Sequence, residues 1–224
     1  MKQGYLFGSA AGHIGTDESG KGDYFGPLVV AGVFLPQGQA EVLKKLGVRD
    51  SKRMSDGRVR AVAADVKHGY KHAVVAIGPE KYNELYGKFR NLNRLLAWGH
   101  ARVIENILAE VPAETALTDR FGDERFVRDA LLRLGRTIEL VQKTKAEEDP
   151  AVAAASVLAR AEFLSRLHFL SQDAGLELPK GASALVDEAA VRLVRQAGPE
   201  ALARFAKLHF KITQRVLDAA RAAR

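Results

Sequence analysis

Apolar residues along this chain fall into two rhythms. Short unbroken runs bounded by glycine, proline or charge read as buried strands. Leu28–Leu35 is nearly all apolar between Pro27 and Pro36, and Ala73–Ile77 stops at Gly78-Pro79. His13–Asp17, Thr115–Thr118 (ending at Asp119) and Thr137–Lys143 are expected to be strands as well. The other rhythm is helical. Leu92, Leu96, Gly99, Val103 and Ile107 share one face of a helix reaching about Glu110. Val152, Ala155, Ala159, Phe163 and Leu167 line a helix that opens at Asp149-Pro150, an N-cap followed by a first-turn proline. Its Ala153-Ala154-Ala155 run keeps it slim for close packing. Shorter helices are expected over Gln37–Leu46, from the Ser55 cap to about His68, from Pro79 through Leu85, and over Asp123–Leu134. Three more follow over 184–197, 199–206 and 209–223, while 49–55 and 178–183 read as loops.

The order is strands first, then strands alternating with helices, then a helical part from about residue 176. That predicts an α/β fold: a mixed sheet flanked by helices, with a helical C-terminal extension. Residues 1–12 form a lead-in, and no linker or repeat divides the chain, so 1–224 is expected to be one domain.

Composition narrows the function. The chain has no cysteine, which excludes disulfides, thiolate zinc sites and cysteine nucleophiles. No apolar stretch approaches membrane-spanning length, and Met1–Tyr5 lacks the apolar region of a signal peptide. A cytoplasmic protein is expected. The net charge of +7 favours polyanionic partners through counterion release.

The densest chemistry lies between Gly15 and Pro27. Asp17 and Glu18 stand beside Lys21, among Gly15, Gly20, Gly22 and Gly26. Any one of the 27 acidic residues is ordinarily a solvated surface group, but adjacent acids in this glycine and lysine context call for a cation between them. Asp119 ends a later strand and Glu147 precedes a helix, and α/β folds gather such groups at strand ends. Three or four carboxylates in one cleft suit Mg²⁺ or Mn²⁺, hard cations with oxygen ligands. Two such ions about 4 Å apart activate a water and stabilise a leaving phosphodiester oxygen. Neighbours on a strand point to opposite faces, so Asp17 and Glu18 can share a site only where their strand ends or bends. Gly20-Lys21-Gly22 supports a nucleotide phosphate loop only weakly, because that motif needs Ser or Thr directly after Gly-Lys and here Gly22 and then Asp23 follow.

Asp17-Glu18-Ser19-Gly20-Lys21-Gly22-Asp23-Tyr24-Phe25-Gly26-Pro27 resembles the opening motif of bacterial ribonuclease HIII, a branch of the type 2 ribonucleases H. The resemblance continues through Asp50-Ser51-Lys52, Lys81-Tyr82-Asn83, Asn91-Leu92-Asn93, Ala97-Trp98-Gly99-His100 and Thr118-Asp119-Arg120-Phe121. It takes in Thr144-Lys145-Ala146-Glu147, Ala151–Ser156, Ala159-Arg160, Leu178–Ala182 and Lys207-Leu208-His209-Phe210, about residues 13 to 215 in all. It implies a ribonuclease H-like fold and endonucleolytic hydrolysis of the RNA strand of an RNA–DNA hybrid, with 3′-hydroxyl and 5′-phosphate ends. The family's catalytic, metal-holding acids fall on Asp17, Glu18, Asp119 and Glu147, with Glu148 and Asp149 close enough to compete for the fourth place. Gly20, Lys21 and Gly22 are expected in the minor groove near a ribose, where the 2′-hydroxyl marks RNA, and Lys52 at a phosphate.

The family usually carries an N-terminal substrate-binding domain; only about a dozen residues precede the first strand here. Where the sister family, ribonuclease HII, has a tyrosine for incision at single ribonucleotides, this chain reads Lys180-Gly181-Ala182. Runs of ribonucleotides are therefore expected over lone ones. The rival readings are an HII-like repair activity and a non-catalytic hybrid-binding module. No protein partner is implied and a monomer is expected. Ser156 is read as small-residue packing, with support of a catalytic acid as its other role. Trp98 and Phe210 are read as core or groove wall, and His100, Lys207 and His209 match the family without a role.

Overall fold

The computed structural model describes residues 12–48, 51, 54–120 and 122–222. Five strands form one sheet: β1 (Gly12–Ser19), β2 (Leu28–Pro36), β3 (His72–Ile77), β4 (Thr115–Asp119) and β5 (Glu139–Lys143). Their order across the sheet is β3-β2-β1-β4-β5. β1, β2 and β3 pair antiparallel, whereas β4 joins β1, and β5 joins β4, in parallel. The helices are α1 (Ala40–Lys45), α2 (Asp56–Gly69), α3 (Pro79–Phe89), α4 (Leu92–Leu108), α5 (Glu124–Ala130), α6 (Pro150–Ala174), α7 (Ala184–Ala197), α8 (Leu202–Phe205) and α9 (Lys211–Ala222).

The unbroken apolar run of β2 is buried on both faces. Val29, Ala31, Val33 and Leu35 pack among the residues of α2 and α6. Val30 and Phe34 pack with Ile14 against Ala101, Val103, Ile104 and Ile107 of α4. The sheet is thus a middle layer, with α6 on one side and α4 on the other. α6 lies so close to β1 that a Cβ on Gly15 would run into the backbone of Ala151 and Val152. Asp149 starts α6 by accepting from the amides of Ala151 (2.8 Å) and Val152 (3.3 Å), and its carboxylate also meets His13 Nε2 at 3.0 Å.

Several boundaries differ from the sequence reading. β1 runs two residues past Asp17 because it pairs with β2 through Ser19 and Val29. α5 stops at Ala130 rather than continuing to Leu134. There the carboxylate of Glu105 from α4 accepts the amides of Leu134 (3.0 Å) and Gly135 (2.9 Å), which offers the backbone partners outside a helix. The expected helix over 199–206 is a 3-10 turn, Pro199–Ala201, followed by one turn of α8.

Candidate active site

β1 and β4 run side by side only as far as Thr16 and Thr118. Beyond that pair β1 keeps β2 as a neighbour but has lost β4, and the sheet opens. Asp17 and Asp119 come next on the two strands, at the mouth of this opening. The alternation of β1 is not broken by a bend. Asp17 reaches the α6 side, where the Ser156 hydroxyl bonds it. Glu18 reaches the α4 side, where Oε2 lies 3.3 Å from His100 Nε2. The two acids share one end of the sheet from opposite faces, which corrects the expectation that the strand must end or bend between them.

Each carboxylate has its own electrostatics. Burial first, then the Glu18 charge, push Asp17 up to about 6, against the pull of Ser156. Burial also acts on Glu18, but His100 and then Lys21 outweigh it and hold the carboxyl below its ordinary range. Lys21 Nζ stands 3.6 Å from Glu18 Oε1. His100 has no solvent contact. Its Nδ1 lies 2.9 Å from Thr16 Oγ1 and 3.4 Å from Thr118 Oγ1, so one ring ties α4 to both central strands and to Glu18.

Asp119 Oδ1 faces the amide of Ala146 at 3.5 Å, in the 3-10 turn Ala146–Glu148. Glu147 follows in that turn with its side chain exposed. Of its competitors, Asp149 is engaged by His13 and the start of α6, while Glu148 is exposed like Glu147. Among the described residues no group of three or more His, Asp or Glu is arranged to hold a metal ion. The donor set nevertheless fits one by its chemistry. It offers carboxylate oxygens alone, and a divalent cation would relieve the repulsion between Asp17 and Glu18.

Gly20 follows β1 with φ +88, a left-handed conformation that glycine adopts without strain. A Cβ on Gly22 would meet only open space, so the backbone there is free to approach a ligand. Lys52 lies outside the described residues.

A polar chain that the sequence did not reveal links the site to its surroundings. Ser156 Oγ, which holds Asp17, lies 2.8 Å from Ser51 Oγ. Arg160 bonds the Ser51 carbonyl and reaches Asp56 Oδ1 at 2.8 Å. Lys180 meets the other oxygen of Asp56 at 2.9 Å. Next to it the amide of Gly181 donates to Asp23 Oδ1 at 2.6 Å, which returns to the Gly20–Gly26 loop. Ser156 thus has the supporting role rather than small-residue packing alone. Ser51, Arg160 and Lys180 belonged to the matching motifs, but their contacts span more than 100 residues of sequence. Trp98 is a groove wall: with Arg94 and Phe126 it borders a hollow of about 640 Å³ between α4 and α5. Phe210 packs edge-on against Tyr24, ring centres 5.9 Å apart. His209 stacks on Tyr86 with centres 4.3 Å apart.

Comparison with known proteins gives this site a lineage. Residues 14–213 match the family described as Ribonuclease HII. A ribonuclease HIII from Protochlamydia amoebophila is 45% identical over 205 residues, covering 92% of this chain and 68% of that protein. A ribonuclease HIII from Chlamydia trachomatis is 44% identical over 208 residues, covering 91% of this chain and 69% of its own length. The crystal structure of Bst-RNase HIII in complex with Mn²⁺ superposes with a TM-score of 0.86 at 35% identity, covering 96% of this chain and 71% of that one. The ribonuclease H2 of Pyrococcus horikoshii, at 20% identity and a TM-score of 0.76, shares the fold. The chain belongs to the type 2 ribonuclease H family, on its ribonuclease HIII branch, and is a ribonuclease H.

Proposed function

We propose that this endonuclease hydrolyses the RNA strand of RNA–DNA hybrids with the help of Mg²⁺ or Mn²⁺, leaving 3′-hydroxyl and 5′-phosphate ends. Residues 1–224 act as one catalytic domain, as a monomer, in the cytoplasm. The observation that carries this reading is the gap beyond Thr16 and Thr118, which sets Asp17 and Asp119 side by side at an open sheet end, with Glu18 behind. Asp17, Glu18, Asp119 and Glu147 would hold the metal, as oxygen donors suited to a hard cation. When bound, such ions lower the pKa of a water and stabilise the departing 3′-oxygen. The Mn²⁺ complex of the Bst-RNase HIII neighbour supports the choice of cation.

The chain's own residues supply the rest. Ser156 fixes the Asp17 carboxylate, and His100 fixes that of Glu18. Lys21, within reach of Glu18, brings positive charge to the side where a phosphate would enter. The open backbone at Gly22 lets the loop approach a ribose 2′-hydroxyl. Past Asp119, Arg120, Arg125 and Arg128 line a hollow of about 580 Å³ that suits a polyanion.

The test is cleavage of matched, end-labelled duplexes: an RNA run on DNA, one ribonucleotide within DNA, and all-DNA. Each is incubated with Mg²⁺, Mn²⁺ or EDTA, with Asp17→Asn alongside. Cutting confined to the RNA run, absent in EDTA and lost in the variant, is the expected result. Incision at the lone ribonucleotide would move the substrate toward HII-like repair. Cleavage that persists in EDTA or in Asp17→Asn would sink the metal-site assignment.

A further inference from the structure

Lys207 is the one lysine among the described residues with no solvent exposure, and it sits far from the four acids in sequence. Its surroundings explain why the fold tolerates it. Nζ donates to the carbonyls of Gly26 (2.7 Å) and Asp23 (2.8 Å), with the carbonyl of Phe25 at 3.4 Å. The backbone amide of Lys207 donates to the remaining carbonyl, that of Tyr24, at 2.9 Å. One residue therefore takes all four carbonyls of the Asp23–Gly26 turn. An ammonium has three N–H donors and no acceptor, which matches the three carbonyls it meets. Burial lowers its pKa to about 7, opposed by the Asp23 carboxylate, and a neutral amine would leave one of those carbonyls without a donor. The Tyr82 ring covers the cation at 5.7 Å.

The turn is held from the same side at other points. Gly26 N donates to Phe205 O at 2.9 Å, and Tyr24 Oη lies 3.1 Å from Thr213 Oγ1. Just upstream comes Gly20-Lys21-Gly22, whose exit amide, Asp23 N, bonds back to Gly20 O at 3.4 Å. Asp23 is therefore both the first residue of the turn and the residue that closes the Gly-Lys-Gly segment.

We propose that Lys207 is a positioning residue of the hydrolysis: its buried ammonium is the internal cation around which Asp23–Gly26 folds, and it thereby sets Gly20-Lys21-Gly22 against the RNA strand. This rests on the substrate-binding reading of that loop. Lys207 touches neither the substrate nor the four acids, so its loss should weaken hybrid binding and leave the chemical step in place.

The experiment compares the wild type with Lys207→Met, which keeps the apolar stem, in steady-state cleavage of an RNA–DNA hybrid and in hydrogen exchange of the amides of residues 20–26. The expected result is a KM raised about tenfold or more with kcat within about threefold, an unchanged metal titration, and faster exchange confined to that loop. Because the chain has no native cysteine, Lys207→Cys can be alkylated while unfolded and then refolded. Aminoethylation rebuilds an ammonium of nearly lysine length and should restore KM and protection, whereas carboxamidomethylation should not. This pair decides the matter even if Lys207→Met does not fold. Unchanged KM and loop exchange in a folded variant would overturn the proposal, as would failure of the refolded aminoethyl form to differ from the carboxamidomethyl form. A wild type that cuts no hybrid would instead defeat the substrate reading, while loop exchange still reports on Lys207.

Discussion

At the scale of single residues, a histidine without solvent contact stands behind one carboxylate of the centre. Groups that orient a metal ligand through a hydrogen bond change metal affinity or activity by about 10- to 100-fold when removed. His100→Phe keeps a ring in the cavity and removes both nitrogens, so Glu18 loses its fixed partner. Hybrid cleavage is expected to fall by about that factor, and the Mn²⁺ concentration giving half-maximal rate to rise. A metal titration unchanged from wild type would show that His100 only fills space. The sequence hid this role for a physical reason. A lone histidine on an apolar helix reads as core, and its partners Thr16 and Glu18 lie 84 and 82 residues away. Asp17 and Glu18 stood out as candidates because adjacent carboxylates among glycines are costly without a cation, and Asp119 because it closes a strand. The sequence left Glu147, Glu148 and Asp149 as candidates for the fourth place, and of the three the structure engages Asp149, with His13 and the start of α6.

Among the elements, the buried strands and capped helices were readable because local chemistry and tertiary packing agree there. β2 is apolar on both faces, and Asp149-Pro150 opens α6 as its cap requires. The reading failed where a distant group overrides the local pattern, as Glu105 does at the end of α5. α8 is cut short in the same way, because Ala206 is drawn into a bridge with Phe25. Asp56, at the start of α2, joins α6 through Arg160 to the loop before α7 through Lys180. The Lys180 hydrogen bond above all, with Arg160 adding and partial burial opposing, holds the Asp56 carboxyl below its ordinary 3.8. Its folded value lies below the unfolded one, so its stabilising contribution is complete above about pH 4 and is lost as pH falls through the folded value. The side chain is 38% exposed, and solvent screening keeps the contribution small. Asp56→Asn should cost less than about 1 kcal/mol at pH 7. Urea midpoints of the two proteins should converge in strong acid, and a gap that widened there would refute the assignment.

Across the whole molecule, the sheet and its two covering helices set the acids, but the loop beside them is shaped from elsewhere. Gly181 meets Asp23 and Tyr24 across more than 150 residues, and Phe205, Lys207 and Thr213 meet Tyr24 to Gly26 across more than 170. No periodicity or motif spacing could announce such pairings, because they exist only after both ends have folded onto the sheet. Gly181 and Lys207 lie in motifs of the resemblance, whereas Phe205 and Thr213 lie in none of them.

These long ties have a consequence during synthesis. A chain whose residues from 205 onward have not yet left the ribosome already carries Asp17, Glu18, Asp119 and Glu147 outside, while Asp23–Gly26 has its ties to Gly181 but not yet those to Phe205, Lys207 and Thr213. Such a nascent nuclease would hold its hybrid poorly until residues 205–213 emerge. Chains stalled at that point should still cut an RNA–DNA hybrid supplied in excess but need about tenfold more of it for half-maximal rate, and a stalled chain with the KM of the 224-residue chain would contradict this timing.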